Sequence, residues 1–395
     1  MMDHAVLGQV ALGYSPLIDP QRNVAATRLT VFPQRPDARP DAAELLQAVA
    51  AVWPGPAGRV LLNIASEPLL ADVLAAVGQP GPPAHVAIEV PAFLAADEAH
   101  GAALQAARQA GATLLVKGRQ ARELPPPVLA CFQQAIVEGE DAHDPGPRLP
   151  ERPLVAGVRT LGAMNAALKA GAAGTLGWPF DDPVEPAGAK SGTQPDLATI
   201  VELIRRVDQQ EPVDRLEASL KLDPALAFKL MRYINSPAFG LRVEIGSFRH
   251  AIMMLGYQRL KRWLALLLVS ASKDHDMRPV MFSAVRRGLL MEELASRQGD
   301  DEMRGEIFIC GVFSLLDRMM KQPFDALMRT IPVPDGVSQA LAGGTGPYQP
   351  YLDVARAVEQ ESLFDLRDAA ERLMVSVEVV NRAALQALAA AQQLD

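Results

Sequence analysis

His275-Asp276 places side by side two residue types that can ligate a catalytic metal. A working site needs further His, Asp or Glu side chains brought to the same point, and the helical half of the chain offers only one other histidine, His250. Residues 273–279 read as a polar loop, so a solvated turn is expected there. Gly343-Gly344-Thr345-Gly346 has the glycine content of a phosphate cradle. It lacks the Gly-Lys-Ser/Thr ending, and no strand precedes it. No Gly-x-Ser-x-Gly occurs, and neither Cys131 nor Cys310 has a histidine nearby, so nucleophilic catalysis has no visible starting point. Asn63 and Glu89 end or nearly end two predicted strands. In a βα barrel such ends form the active face, where an amide and a carboxylate can hold a divalent cation. Two ligands do not make a site, and the other strand ends offer Lys117 and Arg159, which repel a cation. A vestigial or structural role is expected for Asn63 and Glu89.

These residues depend on elements that alternate through the first half of the chain. Residues 60–64, 86–90, 113–116, 154–158 and 174–176 are short apolar runs with strand character. Helical spacing fills 71–77, 100–110 and 161–170. Alternation of this kind implies parallel βα units. About 180 residues is short against the ~250 of a full βα barrel, so a barrel or a partial one is expected. Residues 137–153, with five acidic residues and four prolines, read as a loop. Residues 181–195 are rich in Pro and Gly and read as a linker.

After the linker the spacing is helical to the end. Asp223 can cap a helix that has Pro224 at its first position and stops at Asn235-Ser236-Pro237. Ser247 can cap the next helix, which ends at Gly256. Residues 260–269 are apolar on nearly all sides, the mark of a buried helix. Further helices are expected at 281–297, 306–320, 366–374 and 376–391.

Composition narrows the partners. Apolar residues make up 49% of the chain and charged residues 21%, enough for real cores. Net charge is −8, and neither the part up to Lys190 nor the part after it is basic, so nucleic acid is not expected as a partner. The small clusters Arg259, Lys261, Arg262 and Arg286, Arg287 read as charged helix ends. Two distant cysteines form no disulfide framework or zinc spacing. No signal peptide is read, and the longest apolar run is too short to span a bilayer, so a cytoplasmic chain without membrane contact is expected.

The stretch from 223 to 271 resembles the HDOD domain, a helical output domain related to HD phosphohydrolases. The residues that carry the resemblance are Asp223-Pro224, Asn235-Ser236-Pro237, Ser247 through Ala251-Ile252, and Leu255-Gly256. In catalytic HD relatives a later helix carries Gly-Leu-Leu-His-Asp. Here the matching segment is Gly311-Val312-Phe313-Ser314-Leu315, with Ser314 and Leu315 in the places of the metal ligands. A hydroxyl and an alkyl group cannot replace imidazole and carboxylate. The resemblance therefore implies a non-catalytic helical module.

The first half resembles, more distantly, an EAL domain, the barrel that hydrolyses cyclic di-GMP with two metal ions. Residues 24–32 look like the strand that carries Glu-Ala-Leu, but Arg28 occupies the glutamate position. Asn63 and Glu89 match a metal-binding Asn and a metal-binding Glu. The Asp-Asp-Phe-Gly segment is replaced around Val116-Lys117-Gly118, and Ala-Glu-Gly-Val-Glu-Thr has become residues 155–160, ending Arg159-Thr160. Gln-Gly-Tyr has become Leu176-Gly177-Trp178. Most ligands of that family are absent.

The resulting expectation is an α/β plus all-α chain: a degenerate or incomplete EAL-like βα barrel at 1–183, a linker at 184–195 and an HDOD helical domain at 196–395. It is expected to be a bacterial regulatory protein related to cyclic di-GMP signalling by descent, not an enzyme and without a cofactor, acting as a scaffold for other signalling proteins. The alternative is a ligand sensor whose barrel binds cyclic di-GMP or another nucleotide without hydrolysing it, with Lys117, Arg119 and Arg159 as candidate phosphate contacts. Asp223, Pro224, Asn235, Ser236, Pro237 and Gly256 are expected to be structural.

Overall fold

The computed structural model describes residues 4–53, 59–77, 86–118, 124–139, 149–184, 195–221, 248–270, 274–296, 300–329, 331 and 333–391. The chain divides into two compact units, one of residues 1–182 with 356–385, the other of residues 183–355 with 386–395. This division differs from the expected boundaries, because 356–385 groups with the barrel. Asp223, Pro224, Asn235, Ser236, Pro237, Arg119 and most of the expected linker lie outside the described residues.

The first unit is a closed barrel of eight strands, taken in chain order around the ring. They are β1 (Val10–Ile18), β2 (Val24–Pro33), β3 (Arg59–Ile64), β4 (Val86–Pro91), β5 (Thr113–Lys117), β6 (Gln134–Glu138), β7 (Leu154–Ala156) and β8 (Gly174–Leu176). β1 runs antiparallel to both its neighbours, β2 and β8, and every other pair is parallel. Of the two expected forms, degenerate or incomplete, the ring itself is complete. Two strands escape the sequence pattern. β1 contains Gly13 and Pro16, which break a strand signal. β6 has polar Gln134 and Glu138 at its ends, so Val137 and Glu138 belong to a strand and not to the expected loop.

Alternation along the strands sorts the barrel interior into layers. Ala26, Leu61, Leu115, Ile136, Leu154, Ala156 and Leu176 come from six strands yet form one buried cluster, with Leu17 and Ala87 against it. Only the inside of the ring brings them together. Two residues further along β2, β3, β4, β5 and β6, and therefore on the same face, stand Arg28, Asn63, Glu89, Lys117 and Glu138. An apolar plug thus supports a polar mouth at the C-terminal ends of the parallel strands. A cavity of about 200 Å³ lies at the other end, among Arg59, Val86 and Thr113, the first residues of β3, β4 and β5.

β1 meets β8 only at Leu17 and Ile18, which leaves the rest of that edge without a strand. Side chains and a turn satisfy it instead. Asn381 accepts from Leu12 N–H at 2.9 Å and donates to the carbonyls of Val10 and Leu7, both at 2.8 Å. Trp178 Nε1 donates to Tyr14 O at 3.1 Å, and Gly177 N–H to Pro16 O at 3.2 Å. Gly177 has φ 130°, and a Cβ there would lie 2.2 Å from Val158 O, so only glycine fits.

The second unit is helical. The helix Phe248–Ser270 is broken at Gly256, whose φ of 73° is left-handed, so the expected stop at Gly256 is a break between two helices. The expected buried run is buried: Leu260 and Trp263 through Val269 are all in the core. The helices Arg278–Ala295 and Asp301–Phe313 cross at two glycines. A Cβ on Gly311 would lie 2.6 Å from Gly288 N. The helix expected over 306–320 ends at Phe313 and resumes as Leu316–Met320.

Candidate functional site

The polar mouth of the barrel is organised by Arg28. Its Nε donates to Glu89 Oε1 at 2.7 Å and its Nη2 to Glu89 Oε2 at 2.8 Å, a two-pronged pair. The remaining terminal nitrogen, Nη1, donates to Glu361 Oε2 at 3.0 Å. Ser15 Oγ donates to the other oxygen of Glu361 at 2.8 Å. Arg28 and Glu89 are buried, at 7% and 1% exposure, so the pair is shielded from solvent. Burial works against the charge of Arg28, but Glu89 and then Glu361 and Glu138 outweigh it and push the guanidinium above its ordinary pKa.

Each member is held from its backbone. Arg28 lies in the middle of β2, Glu89 two places before the end of β4, and Asn63 on β3 between Thr30 and Glu89, with its Nδ2 donating to Thr30 Oγ1 at 3.1 Å. Glu361 sits between the helices Gln349–Glu359 and Leu363–Arg372 with φ 54°. A left-handed non-glycine residue costs on the order of 1–2 kcal/mol, so its side-chain bonds must hold it there. Gly13 lets this segment approach β1, because a Cβ at Gly13 would lie 2.9 Å from Glu361 Cα.

The predicted site residues therefore fare unequally. Asn63 and Glu89 converge on the mouth, as their strand-end positions implied. Arg159 does not join them: it is 67% exposed at its side chain and pairs with Asp181 at 2.6 Å. Lys117 is on the inward face of β5 and half-buried. Ser15 and Glu361 were missed. Glu361 lies 333 residues from Arg28 in the chain, and no local pattern could join them.

In the helical unit, Ser314 is buried and turned inward. Its Oγ donates to Gly311 O at 2.7 Å and accepts from Arg287 Nη1 at 3.0 Å, which makes it a helix-end device. His275 is exposed in the short turn His275–Met277, capped by Asp274. Gly344, at φ 62°, closes the helix Asp335–Gly343. Of the basic clusters, Lys261 pairs with Asp208, and Arg262 with Glu292, while its guanidinium lies over the Phe308 ring. Arg286 and Arg287 are buried, not charged helix ends in solvent.

Residues 194–320 match the HDOD domain family. The helical region contains an HDOD domain. Two curated relatives match parts of the chain. Cyclic di-GMP phosphodiesterase CdgJ of Vibrio cholerae is 29% identical over 193 residues, covering 46% of this chain and 44% of the relative. Protein YuxH of Bacillus subtilis is 26% identical over 166 residues, covering 41% and 40%. The chain thus spans less than half the length of either relative. Among solved structures, the calcium and cyclic di-GMP complex of Klebsiella pneumoniae BlrP1 is 17% identical with a TM-score of 0.33, covering 46% of this chain and 58% of that one. Its manganese complex at pH 9.0 aligns equally.

A closed barrel is thus followed by a helical region that contains an HDOD domain. One expectation is corrected. The chain was read as not an enzyme, and a relative that carries the name of a phosphodiesterase contradicts that reading.

The resembled EAL fold works with two divalent ions, and the residues at this mouth do not fit them. Both oxygens of Glu89 accept from Arg28, and among the described residues no three His, Cys, Asp or Glu side chains converge as a ligand set.

Proposed function

We propose that this chain is a regulatory protein of cyclic di-GMP signalling that works as a scaffold for other signalling proteins, with the HDOD-containing helical region as the part that meets them. The signalling context comes from the relatives and from the barrel-plus-HDOD layout. The single observation that carries the scaffold reading is the internal bonding of the mouth. Arg28, Glu89, Glu361 and Ser15, four of its polar groups, are bonded to one another.

The second reading, a sensor that holds cyclic di-GMP, is favoured by the name of the Vibrio relative. Of its candidate contacts, Arg159 is already paired with Asp181. Calorimetry of the full chain with cyclic di-GMP, run in Mg²⁺ and in EDTA beside a chromatographic turnover assay, separates the readings. Scaffold action predicts no heat up to ~1 mM ligand, a weak-binding limit. Saturable heat without product supports the sensor. Conversion of cyclic di-GMP that disappears in Glu89→Gln gives this chain the activity named for its relative and removes both readings.

A further inference from the structure

We infer that the Arg28 guanidinium is the resident cation of the barrel mouth: it stands in place of a divalent metal ion between Glu89 and Glu361 and ties residues 356–385 to the barrel. Two carboxylates bond this one positive group. Glu89 takes two of its nitrogens, Glu361 takes the third, and Glu138 acts on its charge from further off. Ser15 holds the other oxygen of Glu361, so the oxygens here surround a centre that is already positive. A divalent ion entering here would meet two obstacles. Each Glu89 oxygen already accepts a bond from Arg28, and a guanidinium within 3 Å of that carboxylate repels a second cation strongly in a poorly solvated pocket.

Glu361 gives the arrangement its second role. Its backbone is left-handed, a state glycine would adopt at lower cost, and two side-chain bonds hold it. Arg28 thus fastens a segment far away in sequence to the mouth that it fills. A metal ion bound by the same carboxylates would bring that segment in only when the ion was present. A covalently attached cation does so always.

Mn²⁺ titration of the full chain, followed by the loss of the free-ion paramagnetic resonance signal, tests this with the metal alone. Wild-type protein is expected to show no Mn²⁺ site that Glu89→Gln removes. Arg28→Gln frees the carboxylates of their cation and is expected to gain Mn²⁺ affinity by about tenfold or more, a 1.4 kcal/mol change. That gain should vanish in the double variant with Glu89→Gln. A Glu89-dependent site in the wild type overturns the inference, and so does an Arg28→Gln protein that folds and gains nothing. Hydrogen exchange of the unaltered chain in Mn²⁺ and in EDTA gives a reading that needs no variant. Equal exchange across β2, β4 and 356–385 is expected, and metal-dependent protection there contradicts it. These readouts do not involve cyclic di-GMP, so failure here is distinct from failure of the scaffold reading.

Discussion

Arg28 organises the barrel mouth through three side-chain bonds. Its side chain could not be buried alone, since an unpaired charge in a barrel interior is far more costly than a paired one. The two-pronged geometry to Glu89 suits guanidinium and not ammonium. Arg28→Met removes the cation and leaves Glu89 buried without a partner, so the chain should lose about 3–5 kcal/mol in urea unfolding. Arg28→Lys should recover only part of this, because one ammonium cannot span both oxygens of Glu89 and also reach Glu361. Tyr348, in the helical unit, gives a pH-dependent case. Burial first, and then its 2.5 Å bond to Glu306, hold its hydroxyl protonated above the ordinary tyrosine range. The unfolded chain releases this proton near pH 10 while the folded chain retains it. The stabilisation is therefore complete below pH 10 and is lost as pH rises toward the raised folded value. Tyr348→Phe should flatten that alkaline decline in thermal melts, and an unchanged decline would show that Tyr348 is not its source.

At the scale of elements, β1 is the informative strand. Its Gly13 and Pro16 look like turn residues in sequence, and each has a reason in the structure. Gly13 admits the close approach of Glu361, and Pro16 spends no donor on an edge that has no strand beside it. Asn381 completes that edge through three bonds to Leu7, Val10 and Leu12. Asn381→Leu keeps the volume but strands the buried Leu12 N–H, which should cost about 1–3 kcal/mol and speed exchange of the β1 amides. Normal β1 exchange in that variant would mean that the edge is satisfied some other way. The same elements mark what could be read in sequence. β3, β4 and β5 announce themselves as apolar runs, and Asn63 and Glu89 were found by their places at those strand ends. The buried helix at 260–269 was equally plain. β1 and β6 were not, because their polar or strand-breaking residues serve partners that local periodicity cannot see.

For the whole molecule, the layout of a closed barrel followed by a helical region was legible, because alternation and helical spacing are local signals. The grouping of 356–385 with the barrel was not, since it rests on Glu361 and Asn381 meeting residues more than 300 positions away. A separate contact, across 61 positions, makes Glu89 the partner of Arg28. Among the described residues no single helix is long and apolar enough to cross a membrane. The most direct measurement on the barrel mouth is a crystal structure of the full chain grown with Mn²⁺ and collected for anomalous scattering. Arg28 bridging both oxygens of Glu89 and reaching Glu361, with no anomalous peak beside Glu89, is the predicted result. An anomalous peak bonded to Glu89, with Arg28 turned away, would contradict it.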